Sequence, residues 1–569
     1  MTHLHFTFGP VQGFVAQARR TRDLYAGSFL LSHLALAAMR EVKSAGGRVV
    51  LPHLATLERL AVQSQHAVAP NRFIAEFAES AAAVAAARRA ENRLRQEWKQ
   101  IATQVYQRFL APVAAQGQET LHIWDRQIGD FWEIAWAVGS ERETDLLDRR
   151  KNWRTPRTTV EPGDHCALMG EWQELSGFVR SKQRIRQDAF WMAVRAQVLA
   201  MRGSELDLEE SERLCAIAFV KRFFPLIAKD AVGRDLGMES WPSTVSMAAL
   251  PWLRKIKASG PGVLQQCKCY AELVRGEPGA RVSSARRLQA LREFPPEAGE
   301  FPCLSGNFLN RTALRNKRGT RLRTEALRPR LLSELKALEE ASDDRASCFY
   351  ALLLMDGDSM GRLLQLYRPE KVTRALTAFA ERAPDLVGTN DGVCVYAGGD
   401  DVLALLPLDR ALHAAAALQR AYGDAFRAAE ITGDADGTIS AGLVFAHYRC
   451  AFSHVLGYAH RLLDVVAKDG AGRDAIAVGV LKPGGVACEW CGKFGTFVTD
   501  GAHCFAPADR GLQEGPRRRR RHAFSELSLQ PSRAPCRSGR RGIGGHGNVG
   551  VGAVQPRHAL EAHPGRIPP

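Results

Sequence analysis

Residues 393–407 read Val-Cys-Val-Tyr-Ala-Gly-Gly-Asp-Asp-Val-Leu-Ala-Leu-Leu-Pro. An apolar run, a turn of two glycines and two aspartates, and a second apolar run are the pattern of a β-hairpin with acids at its tip. Adjacent carboxylates beside bare backbone make a site for a hard divalent cation carrying a nucleotide phosphate. Gly and Asp are also common turn formers, so the four residues alone are equally well read as an ordinary surface turn.

The surrounding order separates the two readings. Residues 349–355 are a continuous apolar run ending in Asp356-Gly357-Asp358-Ser359-Met360-Gly361. A helix follows, then the hairpin, a helix over about 409–429, a strand over 438–446, a helix over about 452–466 and a last strand from 473. This β-α-β-β-α-β order is that of a split βαβ sheet, in which the first strand lies beside the hairpin. Asp356, Asp400 and Asp401 are therefore expected to converge as metal ligands and catalytic groups. Converging carboxylates with water and phosphate oxygens hold Mg²⁺ or Mn²⁺ for nucleotidyl transfer, and two ions would assist deprotonation of the attacking hydroxyl. Gly357, Gly398 and Gly399 let backbone approach phosphate. Lys468 and Arg473, near a helix end, are candidates for the triphosphate and read equally well as a solvated Ala-Lys-Asp-Gly turn.

The rest of the chain is consistent with several domains. The 569 residues exceed one core. Residues 1–150 alternate β and α as in a ferredoxin-like unit: a strand over 4–8, a helix over 11–42, a strand over 48–52, a helix over about 75–110, and strand and turn over 121–137. Arg19, Arg20 and Arg22 on the first helix are candidates for phosphate, although their spacing favours a solvated helix face. Residues 151–345 read mainly as helix, 346–485 as the unit just described, and 486–569 as a truncated or out-of-frame C-terminal region. The last 69 residues hold 12 Arg, no Lys and four acids, half of the chain's net charge of +16. They lack hydrophobic periodicity and are expected to be disordered. The run Arg517–Arg521 could bind RNA, and the same composition arises when a GC-rich gene is read out of frame. The overall charge suggests a polyanionic partner, most simply nucleic acid. Scattered single cysteines suggest reduced thiols in the cytoplasm, and no apolar stretch is long enough for a membrane span.

The pair Asp356-Gly357-Asp358-Ser359-Met360-Gly361 and Gly398-Gly399-Asp400-Asp401 resembles the second palm domain of the large subunit of type III CRISPR effector complexes. The segment Ala467-Lys468 to Gly472-Arg473-Asp474 is similar to the triphosphate-binding segment of GGDEF nucleotide cyclases. Gly9 to Arg19, Thr21 to Ser28, Pro70-Asn71-Arg72-Phe73, Leu214 to Phe223 and Phe445-Ala446-His447-Tyr448 resemble the Cmr-type (III-B) large subunit, so that the likeness covers about residues 4–485. It implies an α+β chain of two ferredoxin-like palm domains with a helical domain between them. It also implies an RNA-guided complex with crRNA, target RNA and other Cmr-type subunits, converting ATP to cyclic oligoadenylates in antiviral defence. Asp356, Asp400 and Asp401 would hold two divalent ions, with Gly357, Asp358, Ser359, Gly398, Gly399, Lys468 and Arg473 around the nucleotide.

Three departures qualify the resemblance. The His-Asp doublet of the family's HD nuclease is missing, so DNA cleavage is not expected. The place of the family's zinc site reads His165-Cys166-Ala167-Leu168-Met169-Gly170, and Cys267-Lys268-Cys269 is wrongly spaced as a partner. A site short of thiolates loses most of its zinc affinity, so structural zinc is doubtful here. Cys488-Glu489-Trp490-Cys491 is a C-x-x-C with no second pair. The family's C-terminal helical domain is replaced by the Arg/Gly/Pro-rich region, which leaves a catalytically inactive scaffold that binds crRNA and other subunits as the alternative function. A stand-alone cyclase is a weaker third reading.

Overall fold

The computed structural model describes residues 2–503 apart from positions 65, 141–146, 148–160, 202–207, 238–240, 283–287, 318, 433–436 and 500–501. The expectations for the Arg-rich stretch from 504 onward lie outside the described residues.

The first sheet is built from Thr2–Gly9 (β1), Arg48–Leu51 (β2), Arg72–Phe77 (β3) and Glu133–Ser140 (β4), in the order β2-β3-β1-β4. Its helices are Thr21–Ser44 (α1) and Ser80–Val105 (α2). Every pairing is antiparallel, which is the split βαβ arrangement. The helix expected over 11–42 is two. A short helix, Val11–Val15, is followed by a break, because the Asp23 carboxylate accepts the backbone N–H groups of Arg19 and Arg20 and so starts α1 anew. The strand and turn expected over 121–137 begin instead as a helix, Thr120–Asp130. Its buried Ile123, Trp124, Gln127 and Ile128 follow helical spacing that a run of tryptophans obscured.

The helical middle contains Arg180–Ala200 (α3), Ala216–Val232 (α4) and Thr244–Lys257 (α5). Ser243 caps α5, its hydroxyl accepting the N–H of Ser246 at 3.1 Å. α4 buries Lys221 and Arg222 among phenylalanines, and both cations are satisfied. Arg222 forks between Asp23 (2.7 Å) and Glu212 (3.1 Å). Lys221 donates to the carbonyls of Phe14 (2.6 Å) and Gln17, pinning the Val11–Val15 helix to α4. Arg19 and Arg20 engage an acid of the middle region: Arg19 pairs with Glu209 at 2.6 Å in an exposed ion pair, and Arg20 lies 3.9 Å from the same carboxylate.

The second sheet has the order β10-β9-β8-β5-β7-β6, from Phe349–Gly357 (β5), Val393–Gly398 (β6), Asp401–Leu406 (β7), Ile439–His447 (β8), Ala475–Lys482 (β9) and Gly485–Lys493 (β10). β5 is antiparallel to both β7 and β8, so β8-β5-β7-β6 repeats the strand order of the first sheet. The helices are Pro369–Thr389 (α6), Ala411–Ala428 (α7) and Phe452–Arg461 (α8), which runs on as a wider turn over Leu462–Gly470. β5 reads as an unbroken apolar run because it is buried on both faces. Leu352 and Leu354 join the core shared with the first sheet and middle helices, while Ala351, Leu353 and Met355 pack under α6 and α7. The sheet also runs past residue 485, since β10 pairs along β9.

The two sheets meet directly. Ala67, in the loop before β3, bridges the edge strand β6: its N–H reaches Val395 at 3.3 Å and its carbonyl accepts from Ala397 at 3.1 Å. Gly398 makes this approach feasible, because a Cβ there would lie 2.5 Å from the Val68 carbonyl.

Candidate active site

Met355 of β5 pairs with Val402 of β7, which sets the C-terminal end of β5 beside the hairpin tip. Gly398 pairs with Asp401, leaving Gly399 and Asp400 as a two-residue turn, with Gly399 at φ +66°. Oxygens of Asp356, Asp400 and Asp401 consequently lie within 4.8 Å of one another. The closeness depends on Gly357, where a Cβ would meet the Asp400 Cβ at 2.7 Å and the Tyr422 hydroxyl at 2.4 Å.

The electrostatics are those of a site short of positive charge. Burial pushes the Asp400 carboxyl up to about 6. Burial, and then the neighbouring Asp400 and Asp464, push Asp401 well above the carboxylate range. Lys468 supplies one countercharge: its ammonium pairs with Asp356 and donates to the Gly357 carbonyl at 3.3 Å. Burial, with Arg473 nearby, lowers Lys468 to about 8. Three hard oxygen donors at this spacing, with repulsion to relieve, suit a divalent cation such as Mg²⁺ or Mn²⁺.

The other expected residues divide. Arg473 is exposed at φ +67°, its N–H bonded to the Lys468 carbonyl. Ser359 is exposed in the left-handed region at the head of a short helix, Met360–Leu366. Asp358 is buried and is not among the residues that line the cavity beside Asp356 and Asp401. Its carboxylate accepts from the hydroxyls of Thr438 (2.9 Å) and Ser440 (2.8 Å) and from the N–H of Asp474 (2.9 Å). The strand ends at Gly357 and Ser359 is left-handed, so the turn out of β5, and not the alternation that would put residues 356 and 358 on one face, sets the direction of Asp358.

A cavity of about 280 Å³ opens beside Asp356 and Asp401, between the second sheet and the start of the first unit. Val11, Val15, Leu354 and Leu456 are among its apolar walls; Gln12, Asn71, His460 and Asp464 are polar positions in it. The Gln12 amide lies 3.4 Å from His460 Nδ1. His460, Asp464 and Lys468 share a helix face at four-residue spacing, a signal from which the first two could have been found.

The neighbour that Cys166 finds was not anticipated: the thiol faces Cys215 at the head of α4. Burial works the other way, but the Cys215 thiol and the N–H groups of Leu168 and Met169 hold Cys166 below the usual thiol range. Among the described residues this pair gathers no third His, Cys, Asp or Glu at ligating distance. Cys488 and Cys491 lie on β10, where a spacing of three puts side chains on opposite faces.

The family model for the second palm domain of Cas10/Cmr2 matches residues 349–477, and that for the N-terminal part of the CRISPR-associated protein Cmr2 matches residues 3–103. Over 166 residues the chain is 31% identical to CRISPR system Cmr subunit Cmr2 of Pyrococcus furiosus. That match covers 24% of this chain and spans only 19% of the relative. Two solved type III-B Cmr-beta structures share the fold at 13% identity. The apo state gives a TM-score of 0.51 over 84% of this chain and 69% of that chain. The form bound to cognate target RNA gives 0.52 over 84% and 70%. Among the described residues no helix is long and apolar enough to cross a membrane.

Proposed function

We propose that this chain, which belongs to the Cas10/Cmr2 family of type III-B CRISPR large subunits, is a metal-dependent nucleotidyl transferase. In this reading it joins ATP into cyclic oligoadenylates within a cytoplasmic RNA-guided complex. The observation that carries the reading is the convergence of Asp356, Asp400 and Asp401 at the ends of two neighbouring strands, beside a cavity.

Asp356, Asp400 and Asp401 would hold one or two divalent ions. Bound there, such ions would neutralise charge at the α-phosphate as a 3′-hydroxyl attacks it and pyrophosphate leaves, and would lower the cost of deprotonating that hydroxyl. Gly357 and Gly399 keep side chains clear of the phosphates. Lys468, released from Asp356, and the exposed Arg473 compensate triphosphate charge. The apolar walls next to Asp401 exclude water and seat a nucleoside. crRNA, target RNA and other Cmr-type subunits are the proposed partners, in keeping with the target RNA in the similar Cmr-beta structure.

The test is incubation of the reconstituted complex with radiolabelled ATP, Mg²⁺ and target RNA. Cyclic product from the native chain, absent from Asp400→Ala/Asp401→Ala, supports the assignment. No product from the native chain, or undiminished product from the variant, leaves the inactive scaffold as the better reading.

A further inference from the structure

We propose that the outward face of α3 is a docking seam for an amphipathic helix with acidic flanks on another protein. α3 is apolar on two sides. Phe190, Trp191, Val194 and Val198 point into the core. On the opposite side Ile185, Ala189, Met192, Ala196 and Leu199 are exposed, with Ile185 at 86% and Met192 at 64%. After a kink at Gln183 these five residues are spaced 4-3-4-3, the spacing by which one helix seats another in a narrow seam. Charged residues flank this second apolar stripe, and it is uncovered among the described residues.

Charge identifies the occupant. Over residues 180–200 Asp188 is the single acid, against Arg180, Lys182, Arg184, Arg186 and Arg195. Arg213, Arg180 and Arg184 already share Asp188. Arg186 makes no ion pair among the described residues, and the Arg195 guanidinium donates to a backbone carbonyl of Glu210. A second copy would bring cation against cation. Residues 504–569 carry the same sign of charge and no such spacing. An RNA backbone would engage the arginines and leave Ile185, Met192 and Leu199 in water. A protein helix with an apolar 4-3 seam flanked by Asp and Glu satisfies both features.

The test does not depend on the nucleotidyl transfer reading, because it reads contact and not turnover. p-Benzoylphenylalanine is placed at Met192 in the full chain, and for comparison at Lys336, exposed on another helix. After irradiation in the native host, the adduct is sequenced. The expected adduct is a segment of another protein with 4-3 apolar spacing and acidic flanks. Its yield falls about ten-fold in Arg184→Glu/Arg186→Glu. Adducts to this chain, to a second copy, to RNA or to lipid overturn the proposal. So does a yield no higher than that from Lys336, or one unchanged by the charge reversal.

Discussion

Lys468 is ion-paired with Asp356, one of the three carboxylates that converge at the hairpin tip. The cation expected at the triphosphate thus occupies a place where a divalent ion would sit, and neutralises part of the cluster meanwhile. Two consequences can be separated. Lys468→Ala should bind Mn²⁺ several-fold more tightly in calorimetric titration, because the competing ammonium is gone. The same variant should turn over ATP about 10²-fold more slowly, because transition-state charge loses a partner. Weaker metal binding with full turnover would contradict both.

The acids at the tip are held together at a cost. Burial raises Asp400 and Asp401, so their ionised forms oppose folding at neutral pH. Asp400→Asn should therefore raise stability by about 1 kcal/mol at pH 7 in the absence of metal, while product formation falls by 10² or more, to order of magnitude. Thermal melting with and without Mg²⁺ reads the first effect. The stabilisation by metal seen in the native chain should shrink in the variant.

Gly357 admits no side chain. Gly357→Ala would drive a methyl against the Tyr422 hydroxyl and Asp400, costing about 2 kcal/mol. The Tyr422 hydroxyl is buried with no hydrogen-bond partner among the described residues, so Tyr422→Phe should be neutral or stabilising by about 1 kcal/mol. In the double variant part of the Gly357→Ala loss should return, since one of the two clashes is removed. A double-mutant cycle by denaturant titration gives the coupling; strict additivity would contradict the geometry.

Arg222 ties α1 to α4 through Asp23 and Glu212. Arg222→Met removes the guanidinium that two buried carboxylates share and should cost about 3–5 kcal/mol. It leaves Asp23 the N–H groups of Arg19 and Arg20, and leaves Glu212 the N–H of Glu209 and the Arg19 guanidinium at 3.5 Å. The pH dependence follows from Asp23. Burial would raise it, but Arg222 and Arg20 bring it to about 2, below the ordinary 3.8. The folded chain then binds fewer protons than the unfolded one between those values. The stabilisation is complete above about pH 4 and is lost as pH falls toward 2. In Arg222→Met the acid unfolding midpoint should move to higher pH.

Much of this protein was legible as pattern. The hairpin, the continuous β5 run and the strand order follow from period-two and period-3.6 spacing, which local backbone geometry imposes on any chain. The Thr120–Asp130 helix was misread because three tryptophans over 124–136 mimic strand composition, while burial against α4 and neighbouring helices decided the element. The neighbour of Cys166 was not legible: Cys215 is distant in sequence, and only packing brings it near.

The sequence by itself determined the kinds of group at the site: two acids on a Gly-Gly turn, a third at a strand end, and a lysine and an arginine downstream. Tertiary structure alone decided which way they face. Asp356 enters the cluster while Asp358, two residues on, is bonded to Thr438 and Ser440. Lys468 lies on Asp356. The cavity wall is completed by Gln12 and Asn71, from the start of the first unit. Periodicity records which residues are apolar; distances between charges depend on how two sheets meet at Ala67 and β6, and no local pattern encodes that meeting.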